Sequence, residues 1–361
     1  MRAIILAGGV GSRLWPLSST ESPKQFRGFG ENQDNLLRQT IQRAIDLGVS
    51  NITVVGAADH RSQLEETIGK FSPRPRLLLE PHRRNTAAAI AVATMISNDD
   101  EPIVVFPCDH QFSDFEALKK AFEIASPLAK TDRIVIFGIK PSYPEVGYGY
   151  IKTGDLEMGF CQVEGFLEKP DRGTIKSLMD RGGILWNAGI FCFRPSVLES
   201  EMKNIRPDLY ELYFAVSEAT SFSDSTTIDA VLFDSCPNES FDKAFLETAT
   251  NLVVVSIDAG WTDIGSWERL WEFSTKDADN NVVSGKVFCD TTSNCLILSS
   301  DRLIATMGVQ DLVIVNANDT ILVADIHESE KIKKLESGVE VNRRDDISVS
   351  PYEKSNSRVP H

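Results

Sequence analysis

Five short apolar runs, Ala3–Leu6, Ile52–Val55, Leu77–Leu79, Ile103–Phe106 and Ile134–Phe137, alternate with segments whose apolar residues return at helical spacing. A brief apolar run closed by turn residues reads as a strand buried on both faces. Between the runs, Leu37, Ile41 and Ile45 mark a first helix that Gly48 stops, and further helices are expected near Asp59–Lys70, Thr86–Ile96 and Phe115–Ala129. Such a chain has few folds open to it. Each helix carries the chain back along the sheet, so the strands line up mainly in parallel, and helices must cover both faces. Ligands on such sheets bind beyond the carboxyl ends of the strands, which directs the search for chemistry to the residues just after each run.

The pattern changes after Gly138. Shorter strands with tight turns are expected through GYGYIKTG, VEGFLEKP and WNAGIFCF, then helical stretches to about Glu247, then a strand Leu252–Ile257 leading into Trp261–Phe273. Within that last stretch Trp267 and Trp271 stand four apart, a spacing that predicts core packing. Farther on, Val287–Cys289, Leu296–Leu298, Leu303–Ala305, Leu312–Val315 and Ile321–Val323 recur about every 8–10 residues between polar turns, the mark of a small all-β module. The expected division is a catalytic domain over 1–275, a β domain over 276–336 with a helical Glu328–Leu335, and a polar tail over 337–361.

Charge excludes several functions. The chain has 361 residues, 37 Lys and Arg against 52 Asp and Glu, and a net charge of −15, so the broad basic footprint of a nucleic-acid binder is missing. No apolar run reaches the ~20 residues of a membrane span, and MRAIILAGG reads as a strand entering a turn, not as a leader. Six scattered cysteines without a CxxC pair argue against a disulfide framework or a zinc site, and the expected compartment is the cytoplasm. Against the acidic background, residues 1–45 carry six basic and three acidic side chains, and residues 74–84 carry four and one. Two small positive islands suit a compact polyanion.

The first island contains LAGGVGSRLWPLSSTESPKQF, residues 6–26. A glycine-rich turn directly after a strand lets backbone amides approach a phosphate. No GKS or GKT follows, so it is not a Walker loop, and Leu14 stands where a dinucleotide fingerprint needs its third glycine. Arg13 and Lys24 close behind the turn could hold a triphosphate, Arg by chelating oxygens and Lys as a point charge.

These strings resemble the signature of the sugar-nucleotide pyrophosphorylase family, in the form found in mannose-1-phosphate guanylyltransferases. LEPHRRNTAAAIAVA, VVFPCDH, FGIKPSYPEVGYGYI, FLEKPD, LWNAGIF and WTDIGSWERLW follow in the family's order, and the likeness runs over roughly residues 1–335. Ser12 and Ser22 depart from the usual Thr and Tyr without removing a charge. Longer relatives continue into a metal-dependent isomerase domain, and the short form without it is expected here.

The resemblance implies a Rossmann-like, mixed but mainly parallel sheet and a small C-terminal β domain, possibly a left-handed β-helix used in a homodimer. It implies GTP and mannose 1-phosphate as substrates, with direct attack of the sugar phosphate on the α-phosphorus and Mg²⁺ as cofactor. By position, Arg13 and Lys24 would be catalytic. Leu6, Ala7, Gly8, Gly9, Gly11, Ser12, Glu80, Asn85, Thr86 and Asp109 would line the nucleotide, while Gly149, Glu168, Lys169 and Asn187 would hold the sugar phosphate. Asp109 and Asp263 match the metal positions.

Residue chemistry agrees in part. Mg²⁺ takes one or two carboxylates and fills its shell with phosphate and water, and Asp109 and Asp263 each lie just past an apolar strand. A carboxylate at Glu80 could accept both the ring N–H and the exocyclic amine of guanine, although it could equally pair with Arg83 or Arg84. Glu168 and Lys169 reach one ligand only if the strand bends at them, since neighbours on a strand face opposite ways. His110 is expected to be structural, and Asp258 has no assigned role. Another hexose 1-phosphate or nucleotide, or a non-catalytic subunit that senses a sugar nucleotide, would use the same fold. The latter would be expected to have lost Arg13, Lys24, Asp109, Lys169 or Asp263.

Overall fold

All five predicted strands of the first half are present in the computed structural model, which describes residues 1–9, 11–29, 34–96, 99–221, 223–332 and 335, without the side chain of Ser12. They are β1 (Arg2–Ala7), β2 (Asn51–Ala57), β3 (Arg76–Glu80), β4 (Ile103–Pro107) and, after a two-residue strand β5 (Gln111–Phe112), β6 (Ile134–Ile139). The helices between them are α1 (Leu36–Asp46), α2 (Arg61–Ile68), α3 (Asn85–Met95) and α4 (Phe115–Leu128). The side chains of Asn35 and Asp114 cap α1 and α4 by accepting from the amides of Arg38 and Ala117. Ile45 departs from its expected place in the buried stripe: it is exposed, and Leu37, Ile41 and Ala44 carry the packing of α1.

The chain continues through β7 (Tyr150–Glu157), β8 (Phe160–Leu167), α5 (Arg172–Arg181) and β9 (Ile184–Phe193). After α6 (Pro195–Ile205), α7 (Pro207–Ala219), β10 (Ser225–Thr227) and α8 (Ala230–Phe233) comes a π-helical turn, Asp242–Leu246, then β11 (Leu252–Ile257) and β12 (Trp261–Thr262). Ten strands form one sheet in the order β10-β3-β2-β1-β4-β9-β6-β11-β8-β7. From β10 to β4 all neighbours are parallel. β9 lies antiparallel between β4 and β6, so WNAGIFCF crosses the middle of the sheet.

Alternation along β1 separates two cores, Ile4 turning to one face and Ala3, Ile5 and Ala7 to the other. α3, α6 and α7 cover the first face, and α1, α2 and α4 the second. Residues 87–93 of α3 are buried on every side, as an Ala-rich helix of small cross-section allows. The strands and helices above belong to one compact unit, which takes in the described residues within 1–9, 25–29 and 34–263.

Of the described residues, the second unit gathers 11–24 and 264–332, with 335. It holds α9 (Trp267–Phe273) and strands β13 (Val282–Ser284), β14 (Val287–Asp290), β15 (Leu296–Ser299), β16 (Ile304–Met307), β17 (Leu312–Ala317) and β18 (Thr320–Asp325). Val282 stands opposite Leu296, Val287 opposite Ile304 and Leu296 opposite Val313, all in parallel register. Parallel pairing of β13 with β15, β15 with β17 and β14 with β16, in two separate sheets, is a β-helix-like arrangement, and β18 ends it by pairing antiparallel with β17. Its strands run close to the predicted ones, and β13 is an addition. A 3-10 segment, Ile326–Lys331, replaces the start of the expected helix, and the predicted tail over 337–361 lies outside the described residues. Trp267 is buried and donates to the carbonyl of Trp15, whereas Trp271 is only half-buried, its indole bonded to the Asn280 carbonyl and its ring 4.7 Å from the Lys276 ammonium.

Candidate active site

Leu6 and Ala7 end β1, and the chain leaves the sheet through Gly8 and Gly9. Three consecutive carbonyls are held there by side chains. The buried amide of Gln25 donates to Ala7 O at 3.0 Å and Gly9 O at 2.7 Å, and Arg83 Nε donates to Gly8 O at 3.3 Å. With the carbonyls engaged on one side, the peptide planes of the turn are set. Gln25 sits within PKQF but carried no role in the sequence reading.

Glu80, the last residue of β3, has its side chain against this turn. A Cβ added to Gly8 would stand 2.8 Å from Glu80 Oε2, so any larger residue there would have to displace the Glu80 carboxyl. Glu80 is 4% exposed, and neither its Oε1 nor Arg83 Nη2 has a hydrogen-bond partner among the described residues. Burial pushes its carboxyl up to about 8, against the lowering effect of the nearby Arg83 charge. The pairing alternatives resolve unevenly: Arg83 acts on Glu80 only as a nearby charge, and Arg84 binds Asp234. Asn85 takes φ +61 and its side chain accepts from the Thr86 amide, while Thr86 Oγ1 accepts from Phe241 N at 2.9 Å. Neither side chain therefore caps α3. The capping position falls on Arg84, which makes no side-chain cap bond.

Asp109 follows β4, and Asp263 follows β12. Since β5 and β12 pair antiparallel, with Gln111 opposite Thr262, the chain enters β5 from Asp109 and His110 at the same end at which it leaves β12 for Asp263. Tyr148 donates its hydroxyl to Asp263 Oδ1 at 2.9 Å. Trp261 donates its indole N–H to His110 Nδ1 at 3.2 Å, which supports the structural reading of that histidine. From α1, Thr40 holds Cys108 O and Arg43 holds His110 O, with the guanidinium 5.2 Å from the Phe112 ring. Two carboxylates at one end of a ribbon suit a hard divalent cation that completes its shell from substrate oxygens. Among the described residues no three His, Cys, Asp or Glu form a metal cage.

The sugar-phosphate candidates lie where β7, β8 and β9 begin or end. A Cβ on Gly149 would meet Glu168 Oε2 at 3.0 Å and Asn187 Cβ at 3.3 Å, so these three residues adjoin. The bend that Glu168 and Lys169 required is present: Lys169 has φ +46, and its ammonium returns to Glu168 Oε1 at 2.7 Å. Asn187 accepts from Gly189 N at 3.0 Å and donates to Asp242 Oδ1 at 2.6 Å. The Asp242 carboxyl is pushed up to about 7, first by burial and next by the charge of Glu168. Glu247 Oε1 accepts from the backbone of Glu168 at 3.0 Å. Tyr148, Asp242 and Glu247 were given no role in the sequence reading, and no local pattern marks them.

In the second unit, Gly11 has φ +63 and any Cβ there would lie 2.4 Å from Lys24 Cγ, so both backbone and space require glycine. Lys24 is buried with its ammonium 3.4 Å from Ile264 O, and Arg13 is exposed with no ion pair among the described residues. Ser18 fixes the turn by donating to Gly11 O at 2.6 Å.

Comparison with known proteins places these features in a context. The nucleotidyl transferase family model matches residues 2–280, and a MannoseP isomerase/GMP-like β-helix domain model matches residues 277–336. The chain is 39% identical over 351 residues to the mannose-1-phosphate guanylyltransferase of Escherichia coli, covering 94% of this chain and 74% of that protein. It is 35% identical over 352 residues to the alginate biosynthesis protein AlgA of Pseudomonas aeruginosa, covering 95% and 73%. Among solved structures, a Thermus thermophilus protein named mannose-1-phosphate geranyltransferase superposes with a TM-score of 0.83 at 29% identity, covering 94% of this chain and 99% of that one. A Helicobacter pylori mannose-6-phosphate isomerase shares the fold, with a TM-score of 0.64 at 24% identity, covering 72% of this chain and 98% of that one.

Proposed function

The chain belongs to the nucleotidyl transferase family, and from that membership we propose that it transfers GMP from GTP to mannose 1-phosphate, giving GDP-mannose and pyrophosphate. Kinship with guanylyltransferases along nearly the whole chain carries this reading. The buried, unpaired Oε1 of Glu80 supports guanine as the base: two adjacent N–H groups, a pattern that adenine cannot offer, would draw this carboxyl into its ionised, accepting form.

The sugar phosphate is the nucleophile. One of its oxygens forms a bond to the α-phosphorus while the bond from that phosphorus to the β-phosphate oxygen breaks, and pyrophosphate leaves. No side chain is alkylated, acylated or phosphorylated, and no proton needs to move at carbon. The obstacle is repulsion, ~1 kcal/mol per pair of unit charges at 4 Å in water and ~4 kcal/mol at an effective dielectric of 20. Arg13 and Lys24 neutralise the triphosphate, and the turn at Gly8, Gly9 and Gly11 offers amides to it. Lys169 meets the sugar phosphate, while Glu168 and Asn187 orient the mannose hydroxyls. Asp109 and Asp263 would hold Mg²⁺, which when bound adds positive charge beside the phosphates.

The assembly in this reading is a homodimer, supported by the exposed Phe288, Leu303, Met307, Ile321 and Val323 of the C-terminal unit. Among the described residues no helix is long and apolar enough to cross a membrane. The test is a matrix of GTP, ATP, UTP and dTTP against mannose 1-phosphate and glucose 1-phosphate, with pyrophosphate release measured. GTP with mannose 1-phosphate should exceed every other pair. Equal or greater turnover with another pair would overturn the assignment.

A further inference from the structure

The π-helical turn Asp242–Leu246 is the least regular element beside the candidate sugar-phosphate residues. Its defining bond runs from Glu247 N to Asp242 O at 3.1 Å, five residues apart. In an α-helix, five residues turn the chain by about 500°, so their side chains diverge by about 140°. A wider turn brings residues five apart closer to the same side of the helix. Here the two carboxylates each hold a different candidate: Asp242 accepts from Asn187 Nδ2 at 2.6 Å, and Glu247 accepts from the amide of Glu168 at 3.0 Å.

The bonds to Asn187 also set its polarity. Gly189 N donates to Asn187 Oδ1, so the Nδ2 end must face Asp242, and its second hydrogen is directed by that contact. Without an acceptor at 242, the amide would lose the shorter of its two anchors, 2.6 Å against 3.0 Å. Glu168 adds its negative charge next to Asp242, and Lys169 offsets part of it.

We propose that the π-turn is a positioning device for the sugar phosphate, in which Asp242 orients the Asn187 amide and Glu247 fixes the backbone of Glu168. Asp242 acts through Asn187 and does not touch the reacting atoms. This rests on the reading above that Asn187 and Glu168 hold the sugar phosphate, and the experiment separates the two.

Steady-state KM values for mannose 1-phosphate and for GTP are measured for Asn187→Ala, Asp242→Leu, Asp242→Asn and the double variant Asn187→Ala/Asp242→Leu. Asp242→Leu should raise the sugar-phosphate KM about 10-fold, with the GTP KM within about twofold, and Asp242→Asn, whose Oδ1 still accepts, should recover most of the loss. The double variant should be no worse than Asn187→Ala alone. Multiplied losses in the double variant, a parallel rise in the GTP KM, or equal losses in the Leu and Asn variants would overturn the proposal. An Asn187→Ala variant with an unchanged sugar-phosphate KM would instead remove the site reading on which it rests. If Asp242→Leu does not fold, Asp242→Ala, which admits water without overfilling the site, takes its place in the same cycle.

Discussion

Replacing Glu80 by Gln should make the protein more stable and less able to use GTP. Burial raises the folded-state carboxyl from 4.5 to about 8. For a carboxyl raised in this way, the folded protein holds a proton that the unfolded chain has lost, so stability is fully present below pH 4.5 and falls as pH rises toward 8. The slope is about 1.4 kcal/mol per pH unit, and the whole interval amounts to about 5 kcal/mol. The substituted glutamine side chain has almost the same shape and no charge to bury. The stability difference between Glu80→Gln and the parent should therefore be small at pH 4.5, favour the variant increasingly with pH, and level off above about 8. Urea unfolding at half-unit steps from pH 5 to 9, without nucleotide, reads this directly. The same variant should lose on the order of 100-fold in kcat/KM for GTP, because one charge-assisted acceptor is replaced by an N–H facing the base. The loss should be smaller for ITP, which lacks the exocyclic amine. A pH-independent stability difference, or a parent more stable than the variant at pH 8, would refute the burial argument. Unchanged GTP use would refute the guanine contact.

Other outcomes test other parts of the site. Lys24→Ala should lower turnover ~100-fold or more while the circular dichroism spectrum stays that of the parent, since its charge is needed most as the phosphorus bond exchanges. Asp263→Asn should shift the Mg²⁺ dependence of activity to higher concentration, and an unaltered Mg²⁺ titration would remove Asp263 from the metal. Gly8→Ala should raise the GTP KM about 10-fold by displacing Glu80, whose Oε2 the new methyl would otherwise approach to 2.8 Å, and a KM within twofold would show that the turn yields instead.

Much of the fold was legible because its signals are local. Four-residue apolar runs and the returns of Leu37 and Ile41 are properties of neighbours in the chain, and the strands and helices formed within a few residues of them. Ile45 shows the limit: an apolar residue at helical spacing need not be covered, because coverage depends on the element packed against it. The antiparallel entry of β9 into the middle of the sheet was also hidden, since a buried strand looks the same whichever way it runs.

The amino-acid order by itself determined the elements, the glycine-rich turn with its cations, and the family to which the chain belongs, because each is written in adjacent residues. Tertiary structure alone decided what stands opposite what. Gly8 meets Glu80 across 72 positions, Tyr148 reaches Asp263, and a π-turn at Asp242 aims at Asn187. Hydrogen bonds and burial depend on distance in space, and until the chain has folded no spacing along it says which distant carboxylate will lose its water and which will keep it.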